Sequence, residues 1–191
     1  MYHRWVLFGG FISTFLVLWV VYIPVTSECA DLVHEGKDYK AFPVCMAMAR
    51  KGDPFAQNII GVSYATGVGI TKNLSESLIW FQKSAAQGFS KAQNNLGLAY
   101  LEGLGVEKNI RKANQWWRQA ALQGEATAQF NLAISYSNGY GVNRDVGTAT
   151  EYYLASSLSY LIDGNFRGFL KSLKYFHAKP CSLLSNQGEQ A

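Results

Sequence analysis

Along the middle of the chain, apolar and small residues return at steps of four, one and three. Ala56, Ile60, Gly61 and Tyr64 set this rhythm, and Ala92, Leu96, Gly97 and Tyr100 repeat it. Steps of that size line up on one side of a 3.6-residue helix, so each run predicts an amphipathic helix. Stop signals follow at once: Gly67-Val68-Gly69, Gly103-Leu104-Gly105 and Gly139-Tyr140-Gly141 accept positive φ, which ends a helix and reverses the chain. Asn73, Asn109 and Asp145 then stand where a second helix needs its N-cap, with Glu76 placed to complete a capping box. This second helix carries Leu74, Ser77, Trp80, Phe81 and Ala85 and stops at Gly88. Its counterpart carries Ile110, Ala113, Trp116, Trp117 and Ala121 and stops at Gly124. Asp53-Pro54 gives the first pair a cap followed by proline at the first helical position.

Residues 52–87, 88–123 and 124–159 align without a gap at a period of 36. The matching columns include Ala56, Ala92 and Ala128; Gln57, Gln93 and Gln129; Tyr64, Tyr100 and Tyr136; and Trp80, Trp116 and Tyr152. Gly61 and Gly97 are expected to let a neighbouring backbone approach. One helix pair cannot bury its own apolar stripe, so the pairs must stack. The expectation is an all-α fold, a right-handed α-solenoid whose aromatic columns hold successive units together. The flanks read as caps. Residues 28–51 align as a shortened helix pair bent at Pro43, residues 160–179 as a C-terminal capping helix interrupted by Gly164 and Gly168, and residues 180–191 as a disordered tail.

The pattern A-x-x-x-L-G-x-x-Y-x-x-G-x-G-V, followed by W-[YFW]-x-x-A-A-x-x-G, resembles the Sel1-like repeat family, relatives of tetratricopeptide repeats with a longer unit. The resemblance covers residues 52–159 and implies a scaffold for envelope machinery, secretion, motility or host-facing contacts. If the stack curves as tetratricopeptide arrays do, its first helices line a concave side. Val62, Leu98 and Ile134 then form an inner apolar row, with Asn58, Asn94 and Phe130 beside them. A peptide lying along the groove, held by the Asn58 and Asn94 amides, is one reading. The other is that the aliphatic row packs on the adjacent helix.

The amino end differs in kind. Arg4 precedes an uncharged run at residues 6–25, which as a helix would span ~30 Å, the thickness of a bilayer's hydrocarbon core. Positive charge before the run and Glu28, Asp31 and Glu35 after it favour the amino end inside and the rest outside. Residues 1–27 are therefore expected to be a signal-anchor, with residues 5–25 the membrane contact, or a signal peptide cleaved after Ser27. The run exceeds the usual h-region of roughly 7 to 15 residues, which favours the anchor.

Composition and charge narrow the function further. With 49% hydrophobic and 16% charged residues the chain is too apolar for disorder, and a net charge of +4 is too small for nucleic-acid binding. Export would place Cys29, Cys45 and Cys181 in an oxidising space, where Cys29 and Cys45 flank the turn at Gly36 and are expected to pair. Their alternative is two small buried thiols, and Cys181 is left free or intermolecular.

No constellation for catalysis emerges. His3, His34 and His177 have no carboxylate or cysteine at metal-ligand spacing, and the Gly-x-Gly pairs join helices without following a strand. No enzyme, cofactor or metal is expected. The reading is a membrane-anchored, periplasmic or secreted adaptor for a protein or peptide partner in an extracytoplasmic complex of a bacterial envelope. Its rival is a small secreted cell-wall-binding protein or hydrolase of the β-lactam/peptidoglycan type. Self-association through Cys181 or the tail is a third.

Overall fold

The second helix of every unit, and the first helix of the first unit, begins where a side chain takes up amides that the first helical turn leaves without partners. Asp53 accepts from the Ala56 N–H at 2.7 Å, Asn109 from Lys112 at 3.0 Å and Asp145 from Thr148 at 3.1 Å. Asn73 caps both Ser75 and Glu76. The return half of the expected capping box is not made, because the Asn73 N–H donates instead to the Tyr64 carbonyl at 2.8 Å. The same bond recurs from Asn109 to Tyr100 and from Asp145 to Tyr136, so it is a feature of the repeat. Gly67, Gly103 and Gly139 close the preceding helices at φ of 84°, 77° and 78°, where a side chain would be strained.

The computed structural model describes residues 28–36 and 38–177. They form helices α1 (Glu28–His34), α2 (Asp38–Arg50), α3 (Pro54–Thr66), α4 (Leu74–Ala86), α5 (Ser90–Glu102), α6 (Ile110–Leu122), α7 (Ala126–Asn138), α8 (Val146–Ile162) and α9 (Phe166–His177). No strand occurs among the described residues. Each helix packs against the one that follows it, which makes a linear stack of pairs. The expected tail and the uncharged amino-terminal run lie outside the described residues. Within them, no helix is long and apolar enough to cross a membrane.

The core is layered. Ala56, Ile60 and Trp80 join Ala41, Cys45 and Ala49 of α2, while Ala113, Trp117 and Ala120 close on Ala128 and Leu132. The repeated glycines admit aromatic rings, not the backbone that the sequence suggested: a Cβ on Gly61 would stand 2.6 Å from the Phe81 ring, and one on Gly97 would overlap the Trp117 indole. In the third unit Ala133 takes the glycine's place, and Tyr153 the ring's.

Cys29 and Cys45 form a disulfide with Cα atoms 4.8 Å apart, tying α1 to α2. Both sulfur-bearing residues are fully buried. α2 runs through Pro43 to Arg50.

The last unit departs from the period. α8 has 17 residues against 13 in α4 and α6, so residues 159–162 extend it by about one turn. Gly164, at φ 69°, takes the part that Gly88 and Gly124 play earlier, and α9 occupies the place of a fourth first helix. Ser172 then falls where Ile60, Leu96 and Leu132 stand, and its Oγ donates to the Tyr153 carbonyl at 2.9 Å.

Candidate functional site

The first helices α3, α5 and α7 lie side by side, and their asparagines join them. Asn95 Nδ2 donates to Asn58 Oδ1 at 2.9 Å, and Asn131 Nδ2 to Asn94 Oδ1 at 3.4 Å. Asn58 and Asn94 are only 5% and 7% exposed. Their side-chain oxygens are therefore committed to the next unit, and Asn95 and Asn131 are the partly open amides of this ladder. Asn95 and Asn131 were not singled out from the sequence, because their column begins with Ile59.

Phe130 is 4% exposed and is closed to any groove. Its ring packs edge-on to Tyr153 at 5.8 Å and to Tyr175 of α9 at 5.3 Å. The cause is α9 itself, which covers the face of α7 that the period left open.

The aliphatic row divides between both expectations. Val62 remains 37% exposed. Leu98 and Ile134 are half-buried, Leu98 against the cluster of Trp117 and Leu132 and Ile134 against that of Phe130 and Ala133. Each packs on its neighbour with one side and meets solvent with the other. The surface is a half-open apolar row bordered by Asn95 and Asn131.

A second ladder escaped the sequence reading. Gln57, Gln93 and Gln129 are buried, and their Nε2 atoms donate to the carbonyls of Ala49, Ala85 and Ala121 at 3.1, 3.4 and 3.3 Å. Their Oε1 atoms accept from Gln87, Gln123 and Ser159 at 2.8, 2.8 and 2.9 Å. The glutamine thus adds a second bond to a carbonyl in the last turn of the preceding second helix, which the Gly52, Gly88 or Gly124 N–H already reaches, while binding the second helix of its own unit. The signal was present in the repeated glutamine column and in Gln87 and Gln123, 30 residues further on in each case.

Titratable groups gather where α6, α7 and α8 meet. The Arg118 guanidinium donates to the Tyr136 hydroxyl at 3.0 Å, and the Tyr136 and Tyr152 rings stack 5.9 Å apart. Burial pushes the Tyr152 hydroxyl above its ordinary range, Tyr136 adds to this, and Arg118 opposes it. Burial also raises Tyr153. Among the described residues no three His, Cys, Asp or Glu side chains gather as a metal site.

Three consecutive stretches, residues 54–89, 90–125 and 126–158, match the Sel1 repeat. The chain belongs to the Sel1-repeat family. A Sel1 repeat protein from Oxalobacter formigenes superposes with a TM-score of 0.67 and 34% identity, over 73% of this chain and 54% of that one. The uropathogenic Escherichia coli protective antigen c5321, which displays an SLR fold, gives a TM-score of 0.63 and 34% identity, over 72% of this chain and 29% of the antigen. The chain thus spans about half of the first protein and under a third of the second. Helicobacter pylori cysteine rich protein B shares the fold at 18% identity and a TM-score of 0.53, over 63% of this chain and 90% of that one. No protein of curated description matches the chain. The third Sel1 match ends at residue 158, just before the extra turn of α8.

Proposed function

We propose that this Sel1-repeat protein is a non-enzymatic adaptor whose first-helix face holds an extended segment of a protein partner. The right-handed coil of the stack and the concavity of this face belong to the proposal. The observation that carries it is the half-open row of Val62, Leu98 and Ile134, bordered by Asn95 and Asn131. An apolar stripe offers side-chain pockets, and asparagine amides offer both a donor and an acceptor to a peptide backbone. The Gln57, Gln93 and Gln129 bonds keep the units in fixed relation, so the row is rigid before a partner arrives.

The adaptor works outside the cytoplasm in this reading, tethered through residues 5–25 to a bacterial envelope. The Cys29–Cys45 disulfide supports an oxidising compartment. Affinity purification of the full-length chain from its native envelope, wild type against Leu98→Asp, tests the site. The expected result is a stoichiometric protein partner that Leu98→Asp loses while its helical spectrum is unchanged. Retention of the partner by Leu98→Asp would remove the first-helix row from the account.

A further inference from the structure

The last unit exposes more large apolar side chains than its neighbours, where Ile79 of α4 and Leu122 of α6 are single exposed positions. α4 and α6 turn Gln82 and Arg118 to solvent where α8 presents Leu154. Leu158 continues the exposure, Leu161 and Ile162 extend it along the extra turn, and Phe166 and Leu170 carry it onto α9. These are exposed well beyond the ordinary, with Ile162 at 76% and Phe166 at 62%.

α9 is also the most one-sided helix among the described residues. Gly168, Ser172 and Tyr175 face the stack: Gly168 meets the Tyr160 ring, Ser172 bonds Tyr153, and Tyr175 packs on Phe130. Phe166 and Leu170 lie on a second side. Arg167, Lys171 and Lys174 follow one another at steps of four and three along a third, and α9 carries no acidic residue. The nearest acidic side chain in sequence is Asp163 in the preceding turn, which leaves residues 158–175 with a charge of +2.

We propose that this end of the stack, the C-terminal turns of α8 together with α9, docks on an anionic lipid surface. An exposed apolar stripe beside a row of cations is the arrangement that settles at a bilayer interface, with the rings among the acyl chains and the ammonium and guanidinium groups among the phosphates. A second copy fits less well. Pairing α9 with itself would bring two sets of Arg167, Lys171 and Lys174 together with no carboxylate on either helix. A protein partner would have to be acidic and concave across two helices and their turn, whereas a headgroup plane satisfies both features without special shape.

Amide hydrogen exchange of the full-length chain reads this out at residues 158–175, past the α7 end of the first-helix row and separate from Val62 and Leu98. The probes are phosphatidylcholine vesicles, and the same vesicles with a third of the lipid replaced by phosphatidylglycerol. With the anionic vesicles, exchange in α9 and the last turns of α8 should slow by on the order of tenfold. High salt should restore it, and so should Arg167→Glu with Lys174→Glu, which leaves Lys171 over the Phe130 ring and the helical spectrum intact. Equal exchange with the two vesicle types would overturn the proposal. So would protection without lipid that grows with protein concentration, which would name a second copy. Protection without lipid that disappears on deleting residues 178–191 would also overturn it, naming that segment as the occupant.

Discussion

Trp117 occupies the space that a side chain on Gly97 would need, and from there its indole N–H donates to the Asn94 carbonyl at 3.3 Å. One contact therefore sets the distance between α5 and α6 and ties it to the helix that carries Asn94 and Leu98. Gly97→Ala should force the indole out of place and cost about 1–3 kcal/mol, the usual range for overpacking. Chemical denaturation of Gly97→Ala against wild type checks this. An unchanged midpoint would show that the ring has room to yield.

The glutamine ladder should matter more than its distance from any surface suggests. Gln93→Ala removes the donor to the Ala85 carbonyl and the acceptor of the Gln123 amide together, so two hydrogen bonds between helices are lost, while the Gly88 N–H still reaches Ala85 and the Gln119 carbonyl still accepts from Gln123. The expected loss is about 1–3 kcal/mol. Exposed Gln119→Ala should stay within about 0.5 kcal/mol. Equal effects of the two substitutions would contradict the structural role given to Gln93.

Reduction should act locally. The Cys29–Cys45 bond closes a loop with a sequence separation of 16, so its loss should weaken the first pair by about 3 kcal/mol. Hydrogen exchange after Cys45→Ser should quicken in α1 and α2 first, with α5 and α6 still protected. Uniform quickening would show that the pair is not a separable cap.

Alkali should destabilise the third unit before simple surface titration does. Tyr152 and Tyr153 hold their protons more tightly folded than unfolded, because burial disfavours the phenolate. Their contribution is intact below the ordinary value of 10.0 and is lost as pH rises through the higher folded values. Thermal melts should fall above that pH, and Tyr152→Phe with Tyr153→Phe should flatten the fall. A parallel fall in wild type and the double variant would assign the loss elsewhere.

Much of the architecture was legible in the chain because its helix ends rest on local chemistry. Gly67, Gly103 and Gly139, and the caps at Asn73, Asn109 and Asp145, act within a few residues of themselves. Comparison at one fixed offset reveals columns but not bonds between columns. Asn58 and Asn94 therefore looked like groove residues, whereas their partners Asn95 and Asn131 lie one column over, in the next unit. Phe130 was misread for a different reason. The extra turn of α8 shifts the last glycine to Gly164, which hides a fourth first helix from a gapless comparison and with it the cover over that ring. Glu76 fits a capping box by spacing, yet the Tyr64 carbonyl takes the Asn73 N–H, a contact across the turn that spacing does not encode.

The adaptor account rests on the row of Val62, Leu98 and Ile134, and photocrosslinking in the native envelope tests it most directly. A photoreactive amino acid at position 98 of the full-length chain should yield one dominant protein adduct, and the same group at exposed position 119 should not. Equal adducts at both positions, or none at 98 while the partner still co-purifies, would contradict it.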